Sequence, residues 1–96
     1  MKTIKAQELQ LVKTVEKLND RELSRAIRDA IIGEINAVKQ YENISDASTN
    51  AKVSEVLQDI ANEEKIHIGE LQELLQGLGI DEQDYLDEGS NEVNKN

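Results

Sequence analysis

Cysteine is absent from this chain, which excludes disulfides, thiolate metal sites and cysteine nucleophiles. Proline is absent too, so nothing in the sequence obliges a helix to break. Tyr41 and Tyr85 are the only aromatic residues, too few for an aromatic core or a base-stacking surface. Basic residues are outnumbered, 11 against 20 acidic, and the resulting charge of −9 argues against DNA, RNA or an anionic membrane as partner. No apolar run approaches the ~20 residues that span a bilayer, and Met1–Lys5 holds no stretch resembling a secretion signal. A Gly-rich phosphate loop and a nucleophile elbow are also missing, and His67 is the single histidine. These absences leave a small acidic module, expected to be soluble and cytoplasmic. Its 96 residues are few enough that much apolar surface stays near water, which favours a partner subunit.

Leu, Ile, Ala, Glu, Gln and Lys dominate what is present, and the apolar residues recur at steps of three and four. Both features predict an all-α chain. An opening helix is expected from about Thr3 to Leu18, with Ile4, Leu11, Val15 and Leu18 in a row that Glu8 interrupts. Asn19-Asp20 offers an N-cap for a second helix reaching about Ala47, which stops in the polar cluster Ser45, Asp46, Ser48, Thr49 and Asn50. A third helix is expected from about Ala51 to Gln76, ended by Gly77 or Gly79 in the left-handed conformation. A short helix follows from Ile80 to about Glu88, and Gly89–Asn96 reads as a flexible polar tail. The organisation is thus an N-terminal segment (1–19), a helical hairpin with a short C-terminal helix (20–88) and a tail (89–96). The two long helices, each on the order of 40 Å, fold back as an antiparallel pair with one apolar seam that two helices cannot cover alone.

Polar residues interrupt that seam. On the third helix it reads Val53, Leu57, Ile60, Glu64, His67, Leu71, Leu74, Leu78; on the second, Leu23, Ile27, Ala30, Glu34, Val38, Tyr41, Ile44. Glu34 and the Glu64/His67 pair all fall near mid-helix, so an antiparallel hairpin can bring them to one level. Buried carboxylates without a compensating charge are costly, and a hard or borderline cation is the simplest compensation. One Glu-x-x-His and one lone Glu make half of the donor set found in helical carboxylate di-metal sites. The spacing alone is weak, since 13 of the 96 residues are glutamate. His67 bonded to Glu63 or Glu64 within its own helix, and Glu34 in a structural ion pair, are the bland alternatives. Glu63 and Glu70 flank His67 as outer acceptors or, more simply, as solvated residues, and Tyr41 is either a group beside the site or a core tyrosine.

The stretch Ala30-Ile31-Ile32-Gly33-Glu34-Ile35-Asn36-Ala37-Val38-Lys39-Gln40-Tyr41-Glu42, followed by Val56-Leu57-Gln58-Asp59-Ile60-Ala61-Asn62-Glu63-Glu64-Lys65-Ile66-His67-Ile68-Gly69-Glu70, resembles the encapsulated ferritins. These are small rubrerythrin-related, ferritin-like proteins that accompany encapsulin nanocompartments. The resemblance covers about residues 21–93. It implies a two-helix hairpin that dimerises into a four-helix ferritin-like bundle, with a di-iron ferroxidase centre on the two-fold. Its ligands would be Glu34, Glu64 and His67 from each subunit, with Tyr41 beside the centre. It also implies two irons per dimer, assembly of dimers into a ring (a decamer in the family), and an encapsulin shell as partner. Two departures stand out. At the family's further metal-uptake site the matching positions are Gly33, Asn36 and Gln40, so only Glu63 remains. The ending Ser90–Asn96, with one apolar residue, lacks the short apolar peptide by which family members dock to a shell. Beside the ferroxidase, two other readings stay open: a non-catalytic module holding Zn, Mn or Ca, and a helical dimerisation module with a buried polar cluster.

Overall fold

The computed structural model describes residues 17–79 and 82–95. Three helices account for nearly all of them: α1 (Asp20–Ala47), α2 (Ala51–Gly77) and α3 (Gln83–Asn94). Among the described residues there is no strand. The all-helical expectation therefore holds. Lys17, Leu18 and Asn19 are not helical, so an opening helix does not reach Leu18; the rest of that expected helix lies outside the described residues.

Local chemistry explains each boundary. Asn19 is the N-cap of α1: its side chain accepts from the Glu22 amide at 2.8 Å, and Glu22 returns the favour by accepting from the Asn19 amide at 3.2 Å. Both bonds satisfy donors that the first helical turn leaves without partners. Asn50 does the same for α2, accepting from the Val53 amide at 3.1 Å. At the other end of α2, Gly79 takes φ +68° and its amide reaches the Gln76 carbonyl at 3.2 Å. Of the two glycines expected to end this helix, Gly79 supplies the left-handed position, because a residue without Cβ enters it at no steric cost.

The tail departs from expectation. Helix α3 continues through Gly89 to Asn94, and the Lys95 amide still donates to the Asn91 carbonyl at 3.1 Å. Gly89 weakens a helix interior by about 1 kcal/mol but does not stop it. No proline follows, and Tyr85, Leu86, Gly89 and Val93 fall along one stripe of the continued helix.

Three residues, Ser48–Asn50, join α1 to α2, and so short a link forces the helices back antiparallel. Two serines fasten the closed end. The Ser45 hydroxyl donates to the Ser54 carbonyl at 2.7 Å and the Ser54 hydroxyl donates to the Ser45 carbonyl at 2.8 Å. Farther along, Lys65 Nζ donates to Glu42 Oε2 at 3.0 Å, and Gln58 donates to the same oxygen at 3.2 Å. These bonds from Lys65 first, then Gln58, hold the Glu42 carboxyl below its ordinary value of 4.5.

The seam is where the reading needs correction. The residues of α2 that α1 shields are Leu57, Ile60, Ala61, Glu64, Ile68, Leu71 and Leu75, followed by Leu78 at the C-cap, whereas Val53, His67 and Leu74 stand on an exposed margin. On α1 the shielded set includes Ile27, Ile31, Glu34, Val38 and Tyr41, with Ala30 and Ile44 exposed. A strict alternation of four and three gives a period of 3.5, while a straight helix runs at 3.6, so the seam as spelled out drifts off the contact line. Ala61 is the only fully buried apolar residue among those described. The molecule measures 57 × 43 × 15 Å, which is one layer of helices and leaves no second layer to bury their faces.

Two outcomes test this account of the hairpin. Ser45→Ala and Ser54→Ala each remove one bond of the clamp and should lower stability by about 1 kcal/mol in urea unfolding. The Glu42 tie should show in the pH profile. Because its folded value is depressed, the stabilisation is complete above about pH 4.5 and is lost as the pH falls through the folded value. Glu42→Gln should flatten that acid limb of the unfolding midpoint.

Candidate metal centre

Glu34 and Glu64 occupy facing positions at the middle of α1 and α2, and His67 follows Glu64 by one turn of α2. Three residues of helix advance 300°, so a Glu-x-x-His pair shares one side of the cylinder. His67 Nδ1 lies 3.3 Å from Glu64 Oε2 and 3.7 Å from Glu34 Oε2. One donor atom from each of the three residues lies within 4.8 Å of the others. The hairpin thus brings together all three residues singled out as ligands from the sequence.

The electrostatics of the cluster are unbalanced. Two carboxylates meet one imidazole, and Lys65, next in sequence to Glu64, is turned to the other side of the hairpin by its bond to Glu42. Glu34 Oε2 is a buried atom with no hydrogen-bond partner among the described residues. Buried acceptors in native proteins find partners almost without exception, so an orphaned carboxylate oxygen beside a second carboxylate is a place for a cation. Carboxylate oxygen with imidazole nitrogen is a donor set suited to iron, manganese or zinc. The cluster is not closed on itself. The side chains are 27% exposed at Glu34, 20% at Glu64 and 50% at His67, and His67 faces the side left uncovered by the hairpin.

The remaining candidates fall where helix geometry puts them. Tyr41 is half-buried on the same side of α1 as Glu34, two turns along, and its hydroxyl makes no hydrogen bond among the described residues. Glu63 and Glu70 are exposed. The solvated reading fits both. The residue that sequence reasoning passed over is Glu42: the 23-residue separation from Lys65 leaves no local signal.

A model of the Rubrerythrin family matches residues 25–95 of the chain. A curated relative, a ferritin-like-encapsulin shell fusion protein of Pyrococcus furiosus, is 39% identical over 72 residues, which is 75% of this chain and 21% of that protein. The chain spans about a fifth of that relative's length. In three dimensions the crystal structure of an encapsulated ferritin domain from Pyrococcus furiosus superposes with a TM-score of 0.82 at 34% identity. That match covers 90% of this chain and 88% of the other.

The unbalanced charge makes a prediction that a structural ion pair does not. Glu34→Gln removes one of two carboxylates within 4.8 Å of each other, so melting of the chelator-treated protein should shift upward by roughly 1 kcal/mol. Titration calorimetry with Zn(II) or Mn(II) should show affinity falling in the same variant. A drop in stability without metal would mark Glu34 as a structural residue.

Proposed function

Since this chain belongs to the rubrerythrin family, as a ferritin-like domain of the encapsulated-ferritin type, we propose that it oxidises Fe(II) to Fe(III) at a centre completed by a second copy of itself. The orphaned Glu34 oxygen, set beside Glu64 and His67 on the uncovered side of a one-layer hairpin, is the observation that carries this reading. Two carboxylates and one imidazole are too few donors to enclose an iron ion. A two-fold axis past this side doubles them to four carboxylates and two imidazoles, the donor count of a di-iron carboxylate bundle.

In this reading iron is the substrate, bound as Fe(II) and released as Fe(III). Glu34 and Glu64 would hold the two ions, and the His67 of each copy would give one nitrogen to one of them. Charged oxygen donors favour Fe(III) over Fe(II), so the same carboxylates that draw the ion in lower the cost of removing its electron. Each iron gives up one electron, and a pair delivers two to dioxygen or peroxide. In this reading Tyr41, on the site side of α1 and two turns from Glu34, takes the role of hydrogen-bonding a ligand or quenching stray oxidation. The apolar margin of Leu23, Ile44, Val53, Val56 and Leu74, exposed in the single chain, supplies the surface over which copies pair. Dimers then build a ring, with a decamer as the family's form. The likeness to a ferritin-like-encapsulin shell fusion protein supports a place within an encapsulin nanocompartment in the cytoplasm, where the oxidised iron is stored or made harmless.

Aerobic addition of Fe(II) while absorbance near 300–350 nm is followed tests the reading directly. A rapid phase should saturate at one iron per chain. His67→Ala, Glu64→Ala and Glu34→Ala each delete two ligands from a symmetric centre and should slow that phase by about a hundredfold, because even an outer partner of a metal ligand is worth ~10–100-fold. Glu70→Ala should keep most of the rate. Binding metal only in the assembled form adds about 2.7 kcal/mol at free metal ~100 times its dissociation constant. Light scattering should therefore show larger particles with metal than after chelation, and the difference should vanish in His67→Ala. Oxidation by His67→Ala at the parent rate would overturn the ligand assignment.

A further inference from the structure

The hairpin is one layer thick, so each long helix has an outer edge that the other helix does not touch. Two residues of helix turn 200°. Ile32, two before Glu34, and Ile66, two after Glu64, therefore stand on the outer edges of α1 and α2, away from the contact between them. They are 56% and 64% exposed, and Ile66 is the most exposed large apolar side chain of the hairpin. Residues seven apart on a helix stay within about 20° of one line. Seven places to either side of Ile32 are Arg25 and Lys39, and seven to either side of Ile66 are Asp59 and Glu73. All four are exposed, and none forms an ion pair among the described residues. One edge has isoleucine between two cations and the other has isoleucine between two anions, at the same spacing.

We propose that the outer edge of α1 packs against the outer edge of α2 of a second copy set beside it, Ile32 against Ile66, with Arg25 and Lys39 paired to Glu73 and Asp59 of that copy. The register is the hairpin's own. Helices α1 and α2 run antiparallel with Glu34 level with Glu64. A sideways step by one copy, without sliding along the helices, again lays α1 antiparallel to an α2 at the same height. Counting outward from the two glutamates, Ile32 is then level with Ile66, Arg25 with Glu73 and Lys39 with Asp59. Opposite charges meet at both ends of the apolar contact. The acidic Asp29, beside the row on α1, comes level with Gly69, which brings no charge against it. Two-fold pairing of like edges fails the same count. About Ile32 it sets Arg25 against Lys39, and about Ile66 it sets Asp59 against Glu73. Contact between unlike edges is heterologous, so it repeats from copy to copy. An edge one helix wide is small, which makes a single contact weak and salt-sensitive. The contact needs neither a metal ion nor the pairing across the His67 side; only its use as the second contact in a ring of dimers rests on the proposed function.

The absence of cysteine makes this contact readable by disulfide trapping. Full chains carrying Ile32→Cys and Ile66→Cys, one of them isotope-labelled, are treated with chelator, mixed in equal amounts and oxidised with diamide. Intact mass then separates the mixed disulfide from the two like pairs. Random collision gives the mixed product about twice as often as either like pair, whereas the proposal expects about tenfold at low salt. The excess should fall toward the random ratio in ~1 M salt, where charges are screened beyond ~3 Å. Arg25→Glu with Lys39→Glu in the Ile32→Cys chain should abolish the excess. Asp59→Lys with Glu73→Lys added to the Ile66→Cys chain should then restore it, which separates a lost contact from a lost fold. A mixed yield at the random ratio in low salt overturns the proposal. An excess of either like pair overturns it in favour of a two-fold edge. An excess indifferent to charge reversal, or not recovered by the second reversal, overturns the charge pairing. Iron oxidation is not part of the readout, so failure here leaves the proposed function standing.

Discussion

Two carboxylates held within 4.8 Å on a hairpin one helix thick, one of them with a buried oxygen that no donor among the described residues meets, are the constraint from which the other features follow. Hydrophobic burial would place apolar side chains at positions 34 and 64, and the cluster forfeits that contribution at the centre of the contact. Such a cluster persists only where something compensates its charge. Among the described residues no Lys or Arg pairs with either carboxylate: Arg28 binds Glu82 and Lys65 binds Glu42, both on the other side of the hairpin. In the proposed function a cation and a second copy of the chain are parts of a single solution, since one would neutralise the charge and the other would supply the missing ligands and cover the apolar margin.

The hairpin delivers the donors to one level through short-range chemistry at its ends. Asn19 and Asn50 fix where the helices begin, and the three-residue link with its pair of serine bonds fixes how they are offset. Given that offset, residue 34 is thirteen positions before Ala47 and residue 64 is thirteen positions after Ala51, so the two glutamates meet. The Glu42–Lys65 contact lies one residue from Glu64 and constrains the rotation of α2 about its axis. It is half exposed, so its effect is on orientation more than on stability.

Much of this was legible in the residues. The long helices, their caps, the antiparallel fold-back and the three clustered donors all follow from periodicity, capping chemistry and spacing, because each depends on neighbours within a few positions or on counting outward from one short link. Two of the departures, the seam and Glu42, originate in contacts that are not local. Leu74 and His67 were read into the seam alongside Leu71, but the division between a shielded and an uncovered side depends on where α1 lies, and Ile68 and Leu75 take the shielded positions. Gly89 and the polar residues after it suggested a frayed tail, yet helix continues to Asn94 because nothing in the sequence forbids it. Glu42 gave no signal, since its partner is 23 residues away.

Seven of the exposed apolar residues of the hairpin fall into two groups that must be satisfied differently. Leu23 and Ile44 on α1, with Val53, Val56 and Leu74 on α2, flank the side where His67 emerges, while Ile32 and Ile35 accompany Arg28 on the other. Steps of 100° per residue keep the two groups apart along the whole of α1. On the first side the polar element is a cluster of acceptors with too little positive charge. On the second it is a guanidinium with an N–H too many. A single partner surface cannot answer both, because what compensates carboxylates repels arginine. The first side is self-complementary once a cation is added, which suits a two-fold axis. An acceptor on an otherwise apolar surface is what the second calls for. The two faces thus make opposed demands, and a metal-dependent contact over the first leaves the demand of the second unchanged.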